Sequence, residues 1–149
     1  MASGTLAPSL SNQPTSMGVN LTLESFLNQT LTPDGSIAKT GTPQNKAFVA
    51  LQKTNPELNP NNPRDQLEIT QKYSLNTLYF ATDGGNWSVS DSWTTSAAVC
   101  SPWFGVTCLG SRVVVGLKLT SNDLMGNLPS EIRGLTSLSK STTRAKFFC

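Results

Sequence analysis

The sequence predicts an α/β solenoid fragment, a helical lid followed by roughly one to one and a half leucine-lined coils. Three observations predict it. One stretch, from about residue 63 to residue 82, places apolar residues at helical spacing between a clear start and a clear stop. All the tryptophans, Trp87, Trp93 and Trp103, fall within 17 consecutive positions. Beyond them Leu117 and Leu119 alternate, and Leu124, Leu128, Ile132, Leu135 and Leu138 recur along a segment broken by Asn122, Gly126 and Pro129.

Composition narrows the chemistry. A chain of 149 residues has room for one ordinary domain, or a small one with a long tail. Aromatic residues at 7% and charged residues at 13% are thin for a compact enzyme. There are 18 serines and 18 threonines, and no histidine. Without histidine there is no His-based triad, no His metal ligand and no ordinary general base for neutral pH. Three cysteines do not complete an all-cysteine tetrahedral zinc site. No catalytic residue, cofactor or metal is expected. A net charge of +2 gives no electrostatic footprint for nucleic acid. The longest apolar runs, such as Val113-Val114-Val115-Gly116-Leu117, fall far short of the roughly 20 residues that span a bilayer. The first 20 residues lack the basic start and apolar stretch of a signal peptide.

Residues 1–41 carry Glu24, Asp34 and Lys39 as their charges and are rich in Ser, Thr, Pro and Gly, so they are expected to be mostly disordered. One island stands out: Leu23, Phe26, Leu27 and Leu31 share a helical face, Thr22 is placed to cap it, and Leu21 to staple it. Residues 42–62 read as a short helix followed by a linker. Thr42-Pro43 spells a cap and a first-turn proline, Ala47, Phe48, Ala50 and Leu51 form an apolar face, and Asn55-Pro56 stops it. Pro56, Pro60 and Pro63 then suggest a stiff, extended connection.

Residues 63–112 hold the longer helix and the tryptophan segment. Leu75, Leu78 and Tyr79 make one face of the helix, with Ile69, Tyr73 and Phe80 beside it. Asp83-Gly84-Gly85 reads as a glycine stop. Asp65 and Glu68 look like a solvated first turn rather than a catalytic pair. Residues 113–138 form the leucine coil, in which Asn122 is placed to bond the backbone of an adjacent coil. Residues 139–149 break the leucine pattern, with Ser141 and Thr143 at the next apolar positions and Cys149 at the end.

The stretch LNTLYFATDGGNW, then Trp93, then C-x2-W-F-G-V-x-C resembles the N-terminal cap of plant-type leucine-rich-repeat proteins. The block LKLTSNDLMGNLPSEIRGLTSL is similar to that family's repeat, matching at Leu117, Leu119, Asn122, Leu124, Gly126, Leu128, Pro129, Ile132, Leu135 and Leu138. The resemblance covers about residues 66–138. It implies a cap core built on Leu75, Leu78, Tyr79, Trp87, Trp93 and Trp103, and a Cys100–Cys108 disulfide fastening that cap. On loop entropy such a bridge contributes roughly 2–3 kcal/mol. The alternative, two reduced thiols in a cytosolic cap, stays open.

The resemblance implies a non-enzymatic module that binds a protein or peptide across a concave strand face, here Gly116, Lys118, Thr120 and Ser121. It implies a receptor-like, extracellular or membrane-associated setting, which the N-terminus does not supply. In that setting the sequons at Asn20, Asn28 and Asn86 are candidate glycosylation sites. Other readings are an inhibitor of a secreted polysaccharide-degrading enzyme, a carbohydrate-binding module using the tryptophans, and a cut-short product without a function of its own. An uncapped coil also leaves an unpaired strand edge, which invites self-association.

Overall fold

The computed structural model describes residues 20–138. Helix α1 spans Leu23–Thr30, α2 Pro43–Thr54 and α3 Pro63–Ala81, followed by strands β1 (Val106–Leu109) and β2 (Val113–Leu117). Short 3₁₀ turns stand at Ser36–Ala38, Gly84–Asn86 and Ser130–Gly134. The strands form one antiparallel hairpin with a register irregularity between Thr107 and Cys108. The described residues thus give three helices and a two-stranded sheet, followed by an irregular leucine-rich segment that carries the 3₁₀ turn Ser130–Gly134. They do not form a stacked array, so the solenoid expectation reduces to this smaller unit.

Helix α3 is the common wall of two hydrophobic clusters. Its Ile69 and Tyr73 close one cluster with Phe26, Leu27 and Leu31, Ile37 and the α2 residues Ala47 and Leu51. Its Leu75 and Leu78 open the other, with the three tryptophans, Val99, Val114, Leu117, Leu119, Leu124 and Leu135. The helix starts where the sequence says, with Asn62 accepting from the Arg64 N–H and Pro63 in the first turn. It runs through the middle of the molecule, and Gln71 to Leu78 are all buried.

Four expectations are corrected. Residues 20–41 are not mostly disordered: the expected helical island forms α1, with Thr22 and Ser25 in a reciprocal capping box and Phe26, Leu27 and Leu31 buried, and order continues beyond it, where Ile37 is buried too. Residues 1–19 lie outside the described residues. The low-charge, hydroxyl-rich composition misleads because its hydroxyls have partners. Thr32 Oγ1 donates to Glu131 at 2.8 Å and lies 2.9 Å from the Tyr73 hydroxyl, while Thr42 caps α2.

The stretch from Asn55 to Asn62 is not an extended linker. Backbone turns fold it, from the Leu58 N–H to the Asn55 carbonyl and from the Asn62 N–H to the Asn59 carbonyl. Asn61 then clamps Leu21, accepting its N–H at 2.8 Å and donating to its carbonyl at 2.9 Å. At the end of α3, Asp83 rather than a glycine takes the left-handed conformation, with φ 59°. Gly84 is required for a different reason, because a Cβ there would overlap the Tyr79 ring.

Glu68 is not a solvated first-turn acid either. It accepts the Val99 N–H at 2.9 Å and so anchors the tryptophan segment on α3. The divergent tail, residues 139–149 with Cys149, lies outside the described residues.

A candidate interaction face at the junction of cap and coil

The three tryptophans fill one core. Trp87, Trp93 and Trp103 are 6%, 3% and 2% exposed, which leaves no ring face for a sugar. Each indole N–H donates to a backbone carbonyl: Trp87 to Thr82, Trp93 to Phe104 and Trp103 to Ala97. Their rings lie edge-on or tilted, with centroids 4.8 Å apart for Trp87 and Trp93 and 5.3 Å apart for Trp93 and Trp103. Half-buried Tyr79 packs on Trp87 and Trp93, while Leu75 and Leu78 are buried beneath.

Lys72 sits inside this frame at 1% exposure. Its Nζ donates to Asn55 Oδ1 at 2.6 Å and to the carbonyls of Thr95 and Ser96 at 3.3 and 3.2 Å, and lies 5.7 Å from the centre of the Trp103 ring. Burial holds its pKa below the usual lysine value, against the attraction of Glu68 and Glu57. One ammonium thereby ties the end of α2, the middle of α3 and the loop after Trp93.

Cys100 and Cys108 are joined by a disulfide, with their Cα atoms 5.7 Å apart. The bridge closes the loop that carries Trp103, Phe104 and β1. Two side-chain amides then lock the remaining layers. Gln71 of α3 accepts the Val114 N–H and donates to the Arg112 carbonyl, both at 2.8 Å, so it pairs with β2 as a neighbouring strand would. Asn122 does the same for the loop before Trp93: it accepts the Val89 N–H at 2.7 Å and donates to the Val89 carbonyl at 2.8 Å.

On the outer side of the hairpin lies a groove of about 490 Å³ lined by Phe104, Gly105, Val106, Thr107, Lys118 and Thr120. Its floor depends on Gly105, which has φ +80° and no room for a Cβ against the Lys118 carbonyl. The Lys118 N–H donates to the Gly105 carbonyl at 2.8 Å, bringing the cap and the start of the coil side by side. Lys118 supplies the one charge of the lining, and Thr107 and Thr120 offer hydroxyls.

The four positions expected on a concave face separate. Lys118 and Thr120 line the groove, and Ser121 is exposed next to them. Gly116 is buried and is corrected out of the face: it pairs with Thr107 in the hairpin and has no side chain to present. Among the coil positions, Leu117, Leu119, Leu124, Leu135 and Asn122 are buried, and Ile132 and Leu138 pack half-buried on the same cluster. Leu128 is corrected out of the core, because it is 47% exposed and no described segment covers it. Of the sequons, Asn20 and Asn86 are exposed, while Asn28 is half-buried on α1 with its carbonyl oxygen unpartnered.

Among curated proteins the chain is similar to a probable leucine-rich repeat receptor-like protein kinase of Arabidopsis thaliana, 31% identical over 84 residues. The alignment takes in 49% of this chain and 9% of the relative, so the chain spans less than a tenth of that protein's length. No family model matches the chain, and no solved structure matches it.

Sequence reasoning missed Phe104 and Thr107 as groove residues, and Lys72 as the buried clasp. The signal for Thr107 was the hairpin register, which sets it opposite Gly116. Lys72 had no local signal, since the acceptors around it come from segments 17 and 23 to 24 positions away.

Proposed function

We propose that the chain is a protein-interaction module of leucine-rich-repeat type, working at the cell surface, which recognises a protein or peptide through the groove between Phe104 and Thr120. The groove carries the reading. It is open, mixed in polarity and positively charged at one point, and it is built on a rigid floor of disulfide loop and hairpin. A fixed face with few polar groups and an aromatic side chain suits binding without large ordering cost. The partial likeness to a receptor-like kinase supports the interaction role and the surface setting. A disulfide inside the tryptophan core suits an oxidising compartment.

The test is site-specific photocrosslinking on the full chain, with a photoreactive residue at Thr120 or, as a control, at exposed Val49 of α2. A partner trapped from Thr120, absent from Val49 and lost on Lys118→Glu supports the groove. Equal trapping from both positions, or indifference to Lys118→Glu, rejects it.

A further inference from the structure

Taking the groove as the binding face, we infer that its partner is a peptide segment with an apolar centre and a carboxylate toward each end, laid along the outer face of the hairpin from Lys118 to Arg112. In an antiparallel pair with water on one side, outward positions are ordinarily polar. Here β2 reads Val113-Val114-Val115 without a break. Val114 is buried in the tryptophan core, and alternation turns Val113 and Val115 outward. Leu109 pairs with Val113 across the hairpin, shares its face and is 70% exposed. Leu109, Val113 and Val115 belong to neither hydrophobic cluster. Thr107, two positions before Leu109 on the same face of β1, lines the groove, so the apolar strip is continuous with it.

Charge marks the two ends of the strip. From Val106 to Thr120 the charged residues are Arg112 and Lys118, one just before β2 and one just after it. Both are exposed, and the strand between them spans roughly 20 Å. Arg112 donates to the Arg64 carbonyl at 3.2 Å, so a second exposed arginine stands beside it. The acids at the start of α3 are engaged elsewhere: Asp65 accepts the Asn59 N–H at 3.0 Å and Glu68 the Val99 N–H at 2.9 Å. An apolar strip between cationic ends is complementary to an apolar segment between acids, and a guanidinium can hold a carboxylate through two N–H groups. An extended peptide of about six or seven residues covers that span.

Selection of a displayed library of random dodecapeptides on the immobilised full chain tests this, with Lys118→Glu, Arg112→Glu and Leu109→Ser chains alongside. All three changes fall at exposed positions, and thermal melting checks that each variant folds. Enriched peptides are expected to carry an apolar run with acids on both flanks. Either charge reversal should lower their capture about two- to fivefold, and Leu109→Ser about tenfold. Peptides that respond to Lys118→Glu but ignore Arg112→Glu and Leu109→Ser overturn the extended face and leave the groove standing. Peptides that ignore Lys118→Glu reject the groove itself, and this inference with it. A library that enriches nothing, or only peptides without acids, overturns the inference as well. So does retention of the full chain on phosphatidylserine vesicles that Arg112→Glu abolishes, which would assign the strip to a membrane surface.

Discussion

Asn122 holds Val89 by both of its backbone groups, through Oδ1 on the N–H and Nδ2 on the carbonyl. The residues on either side of Asn122 make this possible: Ser121 and Asp123 both take the left-handed conformation, at φ 57° and 58°. The same arrangement recurs at Trp93, flanked by Ser92 and Thr94 at φ 68° and 58°. In each case two strained neighbours turn a central side chain inward. Replacing Asn122 with Ala removes two hydrogen bonds and strands both Val89 groups, at an expected cost of about 2–3 kcal/mol in urea unfolding. Asn122→Asp is expected to fare no better at neutral pH, because a carboxylate then faces the Val89 carbonyl. A loss below about 0.5 kcal/mol for both would show that Val89 finds solvent instead.

Gly126 and Gly85 are expected to respond very differently to the same change. Gly126 has φ +119°, and a Cβ on it would overlap the Ala81 carbonyl at the end of α3. Gly126→Ala should cost roughly 2–4 kcal/mol through backbone displacement, whereas Gly85, with nothing near its Cβ position, should tolerate Ala within about 1 kcal/mol. Thermal unfolding of the two variants side by side decides it.

Tyr73 predicts the alkaline behaviour. Burial raises its hydroxyl from 10.0 to about 12, opposed by the hydrogen bond with Thr32. The folded chain therefore keeps this proton where the unfolded chain has lost it. Its contribution to stability is intact below pH 10 and is lost as pH rises toward 12. Lys72 acts in the opposite sense, since its folded pKa lies below 10.5, and its contribution grows as pH rises toward that value. Tyr73→Phe should flatten the fall in stability above pH 10 relative to the parent chain; an unchanged slope would refute the assignment.

The cysteines give a chemical readout. Without reductant, alkylation and intact mass should find one reactive thiol, Cys149, and with reductant all three. Opening the Cys100–Cys108 loop should lower stability by about 2–3 kcal/mol. Three free thiols in the unreduced protein from its native source would remove the support for an oxidising compartment.

How much of this was legible depended on the distance over which the residues act. Helices α2 and α3 could be read because Thr42-Pro43 and Asn62-Pro63 carry their start signals within two residues. The leucine coil could be read because its apolar positions repeat. Helix α1 could be read from Thr22 and its apolar face, but the folding of residues 32–41 could not, because Thr32 is satisfied by Glu131, 99 positions away, and Gln44 reaches the same carboxylate from 87. A local window sees only a polar hydroxyl. Leu128 illustrates the converse: the repeat pattern marks it as core, but a pattern does not say which neighbour supplies the cover. The groove fell between the two cases, with Lys118 and Thr120 visible from the repeat and Phe104 and Thr107 visible only through strand pairing.

The double duty of α3 bears on where this chain can be cut. A boundary before Pro63 looks natural on paper, since prolines and asparagines crowd the stretch between Asn55 and Asn62. Yet Ile69 and Tyr73, both fully buried, lean on α1 and α2 rather than on the tryptophans. A recombinant piece starting there would bring the tryptophan core with a bare, greasy flank along its central helix. It would also lack Asn55, leaving the Lys72 ammonium without its nearest acceptor. Domain dissection should therefore begin upstream of Leu21, and poor solubility of shorter pieces would report the missing flank rather than a failure of the coil to fold.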